Sequence, residues 1–310
     1  MTPSAPSVIE GIGDDCAILR MGNRVMLASC DLSIENIHWR RSHATPEEIG
    51  WKAAASALSD IAAMGGVPLF ALVSIACPPE VEVSFMEGLY DGLLDAMAQS
   101  GATIVGGDTT KSREGVVIDL TVLGESEGRV LMRKGAKPGD ALVVTGFLGM
   151  ASAGLDALES GARAPELAKA HYHPTPRFPE GQWLSERQEV HAMIDISDGL
   201  AQDAGHIAEA SRIGVSIDST RIPVEPRLAA YCAANGKNPL VFMISGGEDY
   251  ELAFAADPAS VEDLLREFRA QFHTSITIVG EFTQSDLGIR VDGAPATIKG
   301  FDHFAKKNAS

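Results

Sequence analysis

The sequence predicts two domains, the first α+β with a mostly antiparallel sheet and flanking helices, the second α/β. Three observations carry this reading. At 310 residues the chain exceeds what one hydrophobic core usually organises. Its first part runs strand, strand, helix, strand, helix, strand, strand, and its later part alternates strand with helix. Between them, Lys137-Pro138-Gly139-Asp140 sets proline and glycine at the centre of a type II turn, which places the boundary between residues 1–137 and 138–310.

The elements follow in order. Cys16 to Leu19 and Val25 to Ser29 read as strands either side of a Gly22-Asn23 turn, the second ending in Cys30-Asp31. Thr45, Pro46 and Glu48 supply an N-cap, a first-turn proline and a capping-box acid, and Gly65-Gly66 ends the run, so a helix spans Thr45 to Met64. Ile49, Ala53, Ala57 and Ile61 recur at helical spacing in Ala-rich sequence, which makes it a core helix packed closely on something flat. Leu69 to Ala76 is an apolar strand, Val81 to Gln99 an amphipathic helix stopped by Gly101, and Ala102 to Val105 a short strand running into Gly106-Gly107-Asp108. Val116 to Leu123 closes the first domain. Beyond the turn come a strand at Ala141 to Thr145, a helix at Gly149 to Ser160, a strand at Met193 to Ile196, a helix from Ser197-Asp198-Gly199 to about Arg212, and strands at Tyr250 to Ala255 and Ser275 to Glu281. The Pro-interrupted stretch His171 to Pro179 reads as a surface loop, so His171 and His173 are expected there and not on a metal.

Composition narrows the partners. A net charge of −17 and a pI near 4.8 argue against nucleic acid or an anionic membrane surface, either of which needs a basic face. No basic segment followed by an apolar core opens the chain, and no apolar run is long enough to span a bilayer. Cys16, Cys30, Cys77 and Cys232 are widely spaced without a Cys-x-x-Cys pair, which fits reduced thiols in the cytoplasm.

The chemistry lies in the acids. Asp14/Asp15, Asp31, Asp108, Asp195/Asp198 and Glu248/Asp249 each follow an apolar strand or turn, and Asp60 stands near a helix C-terminus, where the macrodipole disfavours a carboxylate by up to about 1 kcal/mol. Glycines precede three of these places: Gly11 and Gly13, Gly106-Gly107, and Gly246-Gly247. Each acid by itself is equally a turn residue or a solvated cap. Together, brought close without cations, each pair would repel by roughly 1 kcal/mol in water-like surroundings and by more when buried. Several Mg²⁺ ions relieve that repulsion and bind substrate phosphates, so the set points to phosphoryl transfer. Familiar nucleotide signatures fail. Thr110 stands where a P-loop before Lys111-Ser112 needs glycine, and Gly11-Ile12-Gly13 lacks the third glycine of a dinucleotide fingerprint. His38, alone in a polar loop, has no role assigned by its spacing.

The motifs Gly-Ile-Gly-Asp-Asp-Cys-Ala at Gly11, Leu-Ser-Asp-Ile-Ala-Ala-Met-Gly-Gly at Leu58, Val-Gly-Gly-Asp-Thr-Thr at Val105, Ile-Asp-Ile-Ser-Asp-Gly-Leu at Ile194 and Ser-Gly-Gly-Glu-Asp-Tyr-Glu-Leu at Ser245 closely resemble the thiamine-monophosphate kinase family, within the aminoimidazole-ribonucleotide-synthetase-like superfamily. The resemblance runs from Gly11 to Phe304. It implies an ATP-dependent kinase making thiamine diphosphate by Mg²⁺-assisted in-line transfer. The first domain would bind ATP and Mg²⁺ and pair in a homodimer, and the second would complete the site. By position it gives Mg²⁺ to Asp15, Asp31, Asp60, Asp108, Asp195 and Asp198, with Ser29 and Cys30 alongside. Of these, Asp31, Asp60, Asp108 and Asp198 are the catalytic set. Gly107, Asp108, Arg133 and Ser197 fall to ATP, and His38, Glu248 and Phe301 to the thiamine phosphate, with Asp14 structural. A requirement for K⁺ stays open. Cys30 stands where the family usually has Thr, Ala57 replaces a common Asn, and Phe301 lacks a polar ring atom. Two alternatives stand beside this: another ATP-dependent synthase of the superfamily, and a non-catalytic acidic protein that binds divalent ions.

Overall fold

The computed structural model describes residues 5–126, 128–284 and 288–296. The first sheet has six strands in the order β1-β2-β3-β6-β4-β5, formed by β1 (Val8–Glu10), β2 (Ala17–Met21), β3 (Arg24–Ile34), β4 (Val67–Cys77), β5 (Thr103–Lys111) and β6 (Val117–Ser126). Every pairing is antiparallel except β4 with β5. Helices α1 (Pro46–Ala63) and α2 (Val83–Ser100) cover one face, and between them and the sheet lies the first core, with Leu27, Ile49, Leu58, Ile61, Val73, Leu89 and Leu93 all but closed to solvent.

Helix α1 forms for the local reasons its sequence offers. Thr45 accepts from the Glu48 N–H while the Glu48 carboxylate accepts from the Thr45 N–H, the reciprocal capping box. It then packs backbone to backbone against α2: a Cβ on Gly50 would meet the Leu89 carbonyl at 2.0 Å, and one on Gly92 the Glu47 carbonyl at 1.9 Å. The alternation of β4 buries Ala71, Val73 and Ile75 under the helices and turns Phe70 and Leu72 to the opposite, exposed face.

The turn at Lys137 to Asp140 is present, with the Asp140 N–H donating to the Lys137 carbonyl at 3.0 Å and Gly139 at φ +97°. After it, β7 (Ala141–Thr145), α3 (Met150–Ser160), α4 (Pro165–Tyr172), α5 (Phe178–Ser185), β8 (Val190–Asp195), α6 (Leu200–Ser211), β9 (Gly214–Ile217), α7 (Pro226–Asn235), α8 (Pro239–Ser245), β10 (Leu252–Ala256), α9 (Val261–Gln271), β11 (Ile276–Thr283), β12 (Ile289–Val291) and β13 (Ala294–Pro295) build the second domain. Its seven-stranded sheet runs β13-β12-β9-β11-β7-β10-β8, antiparallel throughout save β9 with β12. Strand and helix alternate as expected, but most neighbouring strands run opposite ways. Both faces are covered: Leu142, Val144, Ala253 and Ala255 join one core, while Ala141, Val143, Leu252 and Phe254 join the other, which is why these strands read as unbroken apolar runs.

The stretch expected as a surface loop, His171 to Pro179, is a loop only over residues 173–177, with His171 and Tyr172 ending α4 and Phe178 and Pro179 starting α5. Tyr172 packs into the first domain's core, and His171 has no solvent exposure. Local sequence showed only the prolines. What buries the histidine is the tertiary contact of α4 with α1. Among the described residues no helix is long and apolar enough to cross a membrane.

Candidate active site

Three carboxylates from distant parts of the chain converge where the domains meet. Asp15 comes from the turn before β2, Asp60 from the last turn of α1 and Asp195 from the end of β8, and one oxygen of each lies within 4.8 Å of the others. Asp15 and Asp195 are buried, Asp60 half-buried. Burial, then the Asp195 charge, pushes the Asp15 carboxyl up to about 8, with Arg133 opposing. Burial likewise raises Asp195, to about 6, and burial with the charges of Asp31, Asp195 and Asp15 raises Asp60 well above the ordinary carboxylate range.

Fixed donors aim these acids. Ser29 on β3 donates to Asp60 Oδ2, and Ser59 donates to Asp195 Oδ2 at 2.6 Å. Arg133 holds Asp15 Oδ1 through Nε at 3.2 Å and Nη2 at 2.6 Å. Its own N–H donates to Asp14, whose carboxylate also accepts from the Asp15 N–H. Asp31, half-buried on β3, is raised by burial and by Asp119.

The remaining predicted residues fall in three places. Ser197 and Asp198 lie in the loop entering α6, where the N–H groups of Ser197, Asp198 and Gly199 all donate to Asp203 Oδ2 at 3.0–3.1 Å. Asp198, Asp203 and His206 form a second group of close ligand atoms. Gly107 and Asp108 stand exposed on β5, outside both groups. A Cβ on Gly107 would strike the Val73 carbonyl at 1.8 Å, so only glycine lets β5 lie this close to β4. Asp108 is in register with Ser74, and Ser74 with Asp119, whose carboxylate is 3.1 Å from the exposed Cys30 thiol. His38 and Glu248 sit beside α1. His38 Nδ1 accepts from the Ile34 N–H at 2.9 Å, and Glu248 Oε1 pairs with Lys52 at 2.8 Å. Phe301 lies outside the described residues.

Lys52, Ser59, Asp119 and Asp203 join these surroundings although no sequence expectation assigns them a role, and His171, expected in a surface loop, joins them buried. Lys52 carried a signal, being a cation one residue before Ala53 in a helix otherwise apolar on its packed face. Asp203, four residues past Gly199 at a helix start, carried another.

The chain matches the AIR synthase related protein, N-terminal domain family over residues 13–126 and the AIR synthase related protein, C-terminal domain family over residues 137–292. It is 36% identical over 298 residues to the thiamine-monophosphate kinase of Aquifex aeolicus, spanning 94% of this chain and 92% of that one. It belongs to the thiamine-monophosphate kinase family. The Bacillus subtilis member is 35% identical over 312 residues, covering 96% of this chain and 94% of its own. A solved member, AaThiL complexed with AMPPCP and TMP, overlays with a TM-score of 0.85 at 34% identity, covering 94% of this chain and 92% of that one. Family membership thus extends across both domains and the acids between them.

Proposed function

We propose that this chain transfers the γ-phosphate of ATP to thiamine monophosphate, giving thiamine diphosphate and ADP. The observation that carries the reading is the convergence of Asp15, Asp60 and Asp195 from both domains, three carboxylates within 4.8 Å that resist ionising together. Such an all-oxygen, mutually repelling donor set fits a hard divalent cation. Asp15, Asp31, Asp60, Asp108, Asp195 and Asp198, with Ser29 beside them, would hold several Mg²⁺ ions, which when bound supply positive charge against the phosphate oxygens of both substrates. Cys30 adds a soft thiol that a hard cation passes over.

The chain's own groups do the rest. The Arg133 guanidinium, anchored on Asp15, and the Ser197 and Gly107 segments orient the nucleotide phosphates. Glu248 offers a carboxylate to the cationic thiazolium, with His38 at its side and Phe301 assigned to the same end by the family pattern. The nucleophile is the substrate's own phosphate oxygen. With a second pKa near 6 it is mostly dianionic at neutral pH, so no general base has to be provided. Catalysis then consists of in-line placement and charge stabilisation.

The exposed face of the first sheet, with Leu32, Phe70, Leu72 and Val105 between 41% and 56% accessible, is assigned to a second copy of the chain. A cytoplasmic location accords with the four free cysteines. The reading is tested by incubating purified protein with ATP, Mg²⁺ and thiamine monophosphate and separating the products. Thiamine diphosphate and ADP in equal amounts are expected. Folded protein that makes neither, or hydrolyses ATP without phosphorylating the acceptor, would remove the assignment.

A further inference from the structure

Lys52, in the second turn of α1, has a side chain only 3% exposed. Taking an ammonium out of water costs several kcal/mol unless its donors are matched. Here all three are. Nζ lies 2.8 Å from Glu248 Oε1, 3.0 Å from His171 Nε2 and 3.1 Å from the His38 carbonyl, and the Tyr172 ring covers it at 5.5 Å. These partners come from the segment after β3, from α4 and from the segment after α8, so one cation joins both domains.

The chemistry of the pair fixes the histidine tautomer. An ammonium only donates, so His171 Nε2 accepts and the ring proton sits on Nδ1, which faces Glu248 Oε2 at 3.3 Å. Burial, then the Lys52 charge, holds this ring neutral, with its pKa pushed down to about 3. Lys52 therefore bridges His171 and Glu248, and the His171 Nδ1, close to Glu248 Oε2 but outside hydrogen-bond geometry, leaves that side of the triangle open. Each carboxylate oxygen carries two acceptor sites, so each keeps at least one for another group. Glu248 also has φ +67°, a left-handed conformation that costs a non-glycine residue about 1 kcal/mol, so its backbone is held there against its own preference.

We infer that Lys52 is a positioning residue for the organic end of the substrate, locking the Glu248 carboxylate against the His38 segment without touching the transferred phosphate. This rests on the thiamine-phosphate reading of the site. A purely structural lysine would stabilise the fold and leave the two substrates equally affected. A positioning lysine separates them.

The experiment is steady-state kinetics with ATP and thiamine monophosphate varied separately, on wild type, Lys52→Met, Glu248→Gln and the double variant. Lys52→Met is expected to raise KM for thiamine monophosphate tenfold or more, with KM for ATP within twofold of wild type. The double variant removes both members of the ion pair, the buried lysine and the half-buried acid, and so is expected to fold even where Lys52→Met strands an unpaired acid. Its KM for thiamine monophosphate should match that of Glu248→Gln within twofold, because the lysine acts through the acid. A folded Lys52→Met with unchanged KM for thiamine monophosphate would overturn the inference. So would a double variant tenfold worse than Glu248→Gln, or a joint rise in both KM values. A wild type that phosphorylates no thiamine monophosphate removes the parent reading and this inference with it, whereas an active wild type with indifferent variants removes this inference alone.

Discussion

Ser59 Oγ donates to Asp195 Oδ2 at 2.6 Å, so a hydroxyl on the first domain's core helix holds an acid at the end of a second-domain strand. Both groups are buried, and the bond is one of the donors that keep Asp195 lower than burial alone would set it. Ser59→Ala leaves one buried carboxylate oxygen short of a donor. The expected loss is about 1–3 kcal/mol of unfolding free energy, read by urea denaturation of metal-free protein. Loss below a few tenths of a kcal/mol would show that water takes over the role.

Asp60→Asn separates stability from chemistry. Its carboxyl resists ionising because of burial and three acidic neighbours, so the neutral amide should leave the metal-free protein as stable at pH 8 or more so. Activity should fall on the order of a thousandfold or more if Asp60 holds Mg²⁺ as proposed, since several kcal/mol of charge stabilisation would go with that ligand. Thermal unfolding without metal and turnover across a Mg²⁺ titration are measured on one preparation. A variant that melts early yet turns over normally would make Asp60 a structural cap.

His171 predicts an acid limb in the stability profile. Its folded pKa lies near 3 against an ordinary 6.5, so below about 6.5 the unfolded chain takes up a proton that the folded chain refuses. Stability is present above that pH and is lost as pH falls toward 3, at up to about 1.4 kcal/mol per pH unit from this group. His171→Gln, which can still accept from Lys52, should flatten the slope between pH 5 and 6.5 in denaturant titrations. An unchanged slope would mean other groups set it.

Leu72→Glu tests the exposed sheet face. Light scattering of the parent protein should give about twice 32.7 kDa, and the variant should give the single-chain value while keeping its far-ultraviolet spectrum. A parent that is monomeric and active would end the dimer assignment.

What could be read in advance follows the range of the forces involved. The capping box of α1, the αL glycine at Gly101 and the turn at Pro138-Gly139 are local, and each stands in the structure where the residues put it. Strand β5 runs on through Gly106 and Gly107 to Lys111, beyond the expected end at Val105, because pairing with β4 outweighs the weak strand preference of glycine. Strand direction in the second sheet was not legible, since alternating strands and helices do not fix it. Among the site residues, the acids are visible by type and setting, whereas the burial of His171 is not legible locally because its partner Lys52 lies 119 positions away. Asp203 gives no comparable local signal of its partners, because its three N–H donors become a nest only once the loop folds back on it.

The carboxylate cluster belongs to neither domain. Asp15 and Asp60 precede the turn at Lys137 and Asp195 follows it, with Ser59 and Asp195 joined across 136 positions of sequence. For the gene the consequence is inheritance as a unit. A crossover between the two segments would join half-sites never selected together, and codons this far apart would have to travel as if they were one.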